Sequence, residues 1–205
     1  AWLVAIASAE VVARTIIDAG AIATLSIVLR RADVPDHVRA SAARLMALLA
    51  GVDHMTRQSI VDLEVLTDVG RALLVEPAPV RCGLLSLVAA MGADPEYGIW
   101  LISLDGFGSA AGLLQSSSDV DVCRTAVRAM SVLAPHMIET GRVPELATVF
   151  DSMLKQLESP DTPLVLAALH FLSISSDARD VRSVLIERGA FQPIISCLVR
   201  EDRNL

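Results

Sequence analysis

Lysine is nearly missing from this chain. Lys155 is the single lysine among 17 basic residues, the other bases are arginine, and 24 acids leave a net charge of −7. Nonspecific nucleic-acid binding needs clustered positive charge, which this balance does not offer. Asparagine occurs once, at Asn204, and aromatics make up 3% of the residues. The apolar 53% is therefore chiefly Leu, Val, Ile and Ala, the side chains of closely packed helices. There is no CxxC and no HExxH. Cys82, Cys123 and Cys197 are odd in number and fall on apolar helical faces, so they read as buried free thiols rather than a disulfide or a metal site. A reducing, cytoplasmic setting is expected on those thiols alone.

Catalytic patterns are lacking too. His37, His54, His136 and His170 are scattered without partners at metal-ligand spacing. Gly106-Phe107-Gly108-Ser109-Ala110-Ala111-Gly112 has neither the preceding strand nor the lysine of a phosphate-cradling loop, and reads as a helix corner. Acidic pairs such as Asp119 and Asp121 read as helix caps rather than as general acid and base. No nucleophile elbow is present. The expectation is a non-enzyme without cofactor or metal. The most membrane-like stretch, 162–176, is shorter than the roughly 20 apolar residues that span a bilayer and contains His170. The opening Ala1-Trp2-Leu3-Val4-Ala5-Ile6-Ala7-Ser8 reads as the end of a helix lacking its start, so a piece of a longer protein is expected and compartment is not read from a missing leader.

What the chain does have is repetition. Four breaks of Pro, Asp or Ser are each followed by a valine that opens an apolar helix: Asp33-Val34-Pro35-Asp36-His37-Val38, Glu76-Pro77-Ala78-Pro79-Val80, Ser118-Asp119-Val120-Asp121-Val122, and Ser159-Pro160-Asp161-Thr162-Pro163-Leu164-Val165. The valines at 38, 80, 122 and 165 are 42, 42 and 43 residues apart. A period in the low forties with two or three helices per unit marks armadillo or HEAT arrays, whose units bury their apolar faces only by stacking. The fold expected is an all-α, right-handed solenoid over 1–205. Residues 1–8 would end a preceding repeat, 9–50, 51–93, 94–134 and 135–176 would be repeats, and 177–205 an incomplete fifth. Each unit should hold a short first helix, a middle helix and a longer third helix. In the first unit these are Glu10 to Asp18, closed by Gly20, Ala21 to Arg31, and a helix capped by Asp36 that runs to Ala50. The second should use Met55 to Leu63, Val65 to Val75 and Val80 to Met91, and the third Glu96 to Leu104, a corner at Asp105-Gly106-Phe107, and Val122 to Leu133. In the fourth the first helix shrinks to about a turn within Pro135 to Gly141, and a long middle helix is expected from Val143 to Glu158.

By period, helix pattern and glycine corner, the chain resembles the armadillo family over essentially its whole length. In that family the third helices line a concave groove, and the nuclear-import branch carries a Trp and an Asn one turn apart on each. Aligned on the valines, the Trp position here reads Arg44, Ser86, Arg128 and Phe171, and the Asn position Leu48, Ala90, Val132 and Ser175. The ladder is absent, so import-signal binding is not implied. Arg44, Arg124 and Arg128 would instead put guanidinium groups into the groove, with His37, Asp121 and Phe171 near its edge. Two readings of these six residues stand: a face for an acidic or mixed protein partner, and ordinary solvated positions on amphipathic helices. More narrowly, Gln58-Ser59-Ile60-Val61-Asp62-Leu63 and Leu104-Asp105-Gly106-Phe107 resemble corners of the armadillo-like nucleotide exchange factors of seventy-kilodalton heat-shock chaperones. That resemblance implies a co-chaperone that favours an open chaperone and speeds ADP release. Glu64 departs from it by standing where that family prefers Gly. The alternative is a generic armadillo scaffold, cytoskeletal, ciliary or signalling, that holds a peptide or helix.

Overall fold

The computed structural model describes residues 10–201, which are helical with no strand among them. The segment 1–8, expected to end a preceding repeat, lies outside the described residues. Three units follow one plan. The first is α1 (Glu10–Asp18), α2 (Ala21–Arg30) and α3 (Asp36–Ala50); the second is α4 (His54–Asp62), α5 (Val69–Val75) and α6 (Ala78–Gly92); the third is α7 (Pro95–Ser103), α8 (Gly106–Ser116) and α9 (Val120–Glu139). Then come α10 (Val143–Ala147), α11 (Phe150–Gln156), α12 (Thr162–Ser175), α13 (Arg179–Glu187) and α14 (Phe191–Glu201). The molecule is an all-α, right-handed solenoid of the armadillo type.

Each first helix is closed by one left-handed residue. Among the described residues those with positive φ are Gly20, Glu64, Asp105, Gly141 and Gly189, at 78°, 53°, 59°, 74° and 69°. These follow α1, α4, α7, α9 and α13, and the reversal folds the next helix across the first: α1 and α2 are bent by 73°, α7 and α8 by 67°. The third corner turns at Asp105 rather than at Gly106. Gly106 opens α8, where an added Cβ would stand 2.9 Å from the Leu101 carbonyl oxygen.

The third helices start at strictly regular intervals. Their N-cap residues are Pro35, Pro77, Asp119 and Asp161, each 42 residues after the one before. Asp119 accepts from the amides of Asp121 and Val122, and Asp161 from that of Leu164. Asp36 is not the expected cap. The Pro35 carbonyl already accepts from Val38 and Arg39, so Asp36 is the first helical residue and lies 3.7 Å from Arg39. Counted from the caps, Leu164 and not Val165 is the partner of Val122.

Three expected elements differ. The middle helix of the second unit begins at Val69, because residues 65–68 are spent on the turn that follows Glu64. The first helix of the fourth unit continues α9 through Pro135 to Glu139 without a break. Its middle helix divides at Thr148–Val149, where the Thr148 hydroxyl competes for the Glu145 carbonyl and both amides close tighter three-residue bonds.

Packing makes two layers. The third helices stack α3 on α6, α6 on α9 and α9 on α12, while α5 lies on α8 and α11 on α14. Met46, Leu85, Met130 and Phe171 are fully buried along the first stack. The layers are tied at recurring points: the Arg39 Nε donates to the Leu29 carbonyl at 3.1 Å and an Arg81 Nη to that of Leu74 at 2.9 Å, each reaching the C-terminal turn of its unit's middle helix. Arg39, almost buried, also pairs with Glu76 of the next unit.

Candidate functional site

The 42-residue register brings the same face of each third helix onto one surface. One row is Arg44, Ser86, Arg128 and His170; a turn later comes Leu48, Ala90, Val132 and Ile174, and all eight are exposed or half-exposed. Two cavities open along it. One of about 300 Å³ is lined by Arg44, Cys82, Ser86, Asp121 and Arg124 among others. Another of about 490 Å³ runs from Arg44 and Leu48 over Ser86, Ala89 and Ala90 to Arg128 and Val132. They share Arg44, Ser86 and Thr125, so they form one groove across α3, α6 and α9. Ala47, Ala89 and Ala90 line its floor.

Arg44 and Arg128 are exposed and form no ion pair among the described residues. Arg124 is engaged with Asp121 one turn away on α9. Between them lies Cys82, which is 7% exposed. Burial pushes its thiol up, against the opposing pull of a Thr125 hydrogen bond and the nearby Arg44 and Arg124. Burial likewise raises Cys123, which donates to the Ser117 carbonyl. Both are therefore poor nucleophiles. Among the described residues no three His, Cys, Asp or Glu side chains converge as metal ligands would. No single helix there is long and apolar enough to cross a membrane; the α1–α2 and α7–α8 pairs reach that length only jointly, across their bends.

The expected site residues separate into three groups. Arg44, Asp121, Arg124 and Arg128 come together in the groove. His37 lies in the first turn of α3, in the row of Pro79 and Asp121, outside both cavities. Phe171 is not a groove residue. It is 0% exposed and packs on Phe150 with ring centroids 6.3 Å apart. The groove position on α12 belongs to His170, and the second row ends at Ile174 and not at Ser175, which is buried. Counting from the Asp161 cap, not from Val165, would have found both.

No protein-family model and no curated protein sequence matches the chain. Solved structures do. An engineered protein superposes with a TM-score of 0.79 at 21% identity, over 96% of this chain and 79% of that one. A designed armadillo repeat protein in complex with the peptide (KR)4 gives 0.77 at 20% identity, over 95% and 81%. A computationally designed armadillo repeat protein for modular peptide recognition gives 0.78 at 21%, over 95% and 82%. At such identities the likeness is one of fold alone: the chain has the armadillo architecture.

Proposed function

We propose that this chain is a non-enzymatic protein-binding module that holds an extended, acidic segment of a partner protein along the α3–α6–α9 groove. The observation that carries this reading is the repeat of unpaired guanidinium groups at Arg44 and Arg128, two units apart over a floor of Ala and Ser. Arginine forks grip carboxylates in two-pronged fashion, and their stems cover apolar floor. Arg44, Arg124 and Arg128 against Asp119 and Asp121 leave the groove with a positive excess in a chain of net charge −7, and Arg44 and Arg128 as its free charges, which favours acidic segments there. A designed armadillo repeat protein of similar fold is seen in complex with (KR)4, a basic peptide, whereas the free arginines here favour an acidic one.

Fluorescence anisotropy with a labelled Glu-containing peptide and with (KR)4 tests this. The acidic peptide should bind and weaken as salt rises, and the Arg44→Glu, Arg128→Glu double variant should lose it. Preference for (KR)4 overturns the reading. The narrower version, a co-chaperone that speeds ADP release from a seventy-kilodalton heat-shock chaperone, is supported only by the sequence of the Gln58–Leu63 and Leu104–Phe107 corners. Timing labelled ADP release with and without the chain tests it, and no stimulation leaves the generic scaffold.

A further inference from the structure

One tie between units lacks its acid. Arg39, four residues after the Pro35 cap of α3, reaches across to Glu76, the residue just before the Pro77 cap of α6. The pair is well covered, its side chains 8% and 20% exposed. One repeat later the same two places, 42 residues on, hold Arg81 and Ser118. Arg81 keeps the tie to its own middle helix through the Leu74 carbonyl. It forms no ion pair among the described residues, and its Nε, unlike that of Arg39, is buried without a hydrogen-bond partner. The start of α6 and the cap of α9 do meet there, since Cys82, next to Arg81, and Asp119, next to Ser118, line one cavity. In the following repeat the two places are Cys123 and Pro160, so the second pair alone keeps the cation without its anion.

Ser118 is also the open hydroxyl of its segment. Residues 117–119 connect α8 to α9 outside either helix. The Ser116 hydroxyl donates to the Gly112 carbonyl at 2.8 Å, and that of Ser117 accepts from the Asp119 amide at 3.1 Å. Ser118 is exposed, and its hydroxyl has no hydrogen-bond partner among the described residues. Asp119 follows it by one place and Asp121 by three, both exposed. Flanking charge of this sign is what a serine kinase with a basic substrate cleft selects.

We infer that Ser118 is a phosphorylation site, and that its phosphate stands in for the missing carboxylate opposite Arg81. The hydroxyl oxygen attacks the terminal phosphorus of a nucleoside triphosphate held by the kinase. The new O–P bond forms as the bond to the bridging oxygen breaks, the nucleoside diphosphate leaves, and the hydroxyl proton passes to the kinase's base. Phosphoserine carries a charge of about −1.5 to −2 at neutral pH and three acceptor oxygens, which a guanidinium fork holds by paired N–H bonds. The dipole of α9, which starts two residues later, favours the anion as well. Asp119 and Asp121 repel it, so the Arg81 pair decides whether the modified segment docks. Docked, it fastens the second unit to the third as Glu76 fastens the first to the second.

The test treats the 205-residue protein with ATP and an acid-directed serine kinase and maps the product by mass spectrometry. One added phosphate is expected, at Ser118, and Ser118→Ala should take up none. The phosphoprotein should melt a few degrees above the unmodified protein, and the gain should vanish in Arg81→Gln. Phosphorus NMR gives a reading that needs no variant: the second ionisation of phosphoserine, near pH ~6 when free, should fall to lower pH in the folded protein and return in urea. Ser118→Glu, which repeats the carboxylate of position 76, should raise the Tm of the parent and leave that of Arg81→Gln unchanged. Phosphate placed elsewhere, or not at all, overturns the inference. So does a melting gain that survives Arg81→Gln, or a phosphorus titration that is the same folded and unfolded.

Discussion

Glu64 and Asp105 hold left-handed backbone, φ 53° and 59°, at the corner where Gly20, Gly141 and Gly189 serve the other units. A side chain in that region costs roughly 1–2 kcal/mol, and glycine's extra chain entropy returns roughly 0.5–1 kcal/mol of it. Glu64 is exposed, so Glu64→Gly should stabilise by about 0.5–1 kcal/mol, a rise of a few degrees in Tm by calorimetry. Gly20→Ala should move the Tm down, although nothing lies within 4 Å of its Cβ, because the conformation and not the space is the constraint. Gly83 is the reverse case. Helix propensity alone favours alanine there by roughly 1 kcal/mol, yet a Cβ would stand 2.7 Å from the Ala43 Cβ and 3.0 Å from the Ala40 carbonyl. Gly83→Ala should therefore lower stability, by about 1–3 kcal/mol in urea unfolding, since α3 and α6 must part to admit it. Of these features the closure at Gly20, the Asp105-Gly106-Phe107 corner and the departure of Glu64 from glycine were visible in the sequence. The close approach at Gly83 depends on which faces meet, and that is decided by stacking.

At the scale of the helix, caps carry much of the definition. Asp53 accepts from the Thr56 amide and hydroxyl at 2.8 and 2.7 Å, and Arg14 of the preceding unit reaches it. The Thr56 hydrogen bonds, ahead of the nearby Arg14 and Arg57, hold its carboxyl below the usual aspartate range. Asp53→Ala should cost about 1 kcal/mol at neutral pH. Because the folded value is the lower one, Asp53's contribution is complete above its unfolded value of ~3.9 and is lost as pH falls through the folded one. Urea unfolding of parent and variant should therefore differ at pH 7 and converge in acid. Breaks at Pro35, Pro77, Asp119 and Asp161 were readable because Pro and Asp interrupt or cap helices by local chemistry alone. The register inside α12 was not. Leu164 and Val165 are both apolar and both buried, so hydrophobic pattern could not choose between them, and the choice moved the groove position from Phe171 to His170. Pro135 misled in the other direction: it reads as a break, yet α9 runs through it.

Over the whole molecule, stacking converts one residue per unit into a spaced row. Arg44 and Arg128 occupy the same place on α3 and α9, two helix spacings of ~8–10 Å apart, or about 16–20 Å. An extended chain rises ~3.3 Å per residue, so about five or six residues span that gap. Ser86 stands between and offers no charge. The groove should therefore read the distance between two acids, not only their number. In a neutral, labelled peptide carrying two Glu residues, affinity measured by anisotropy should peak when they are five or six apart and fall severalfold at a separation of two or ten. With Arg128→Gln the peak should flatten to the single-acid value, because the second carboxylate then meets no fork. Affinity that follows total charge and ignores spacing would mean that the row acts as a diffuse field, and that neither guanidinium is a specific contact.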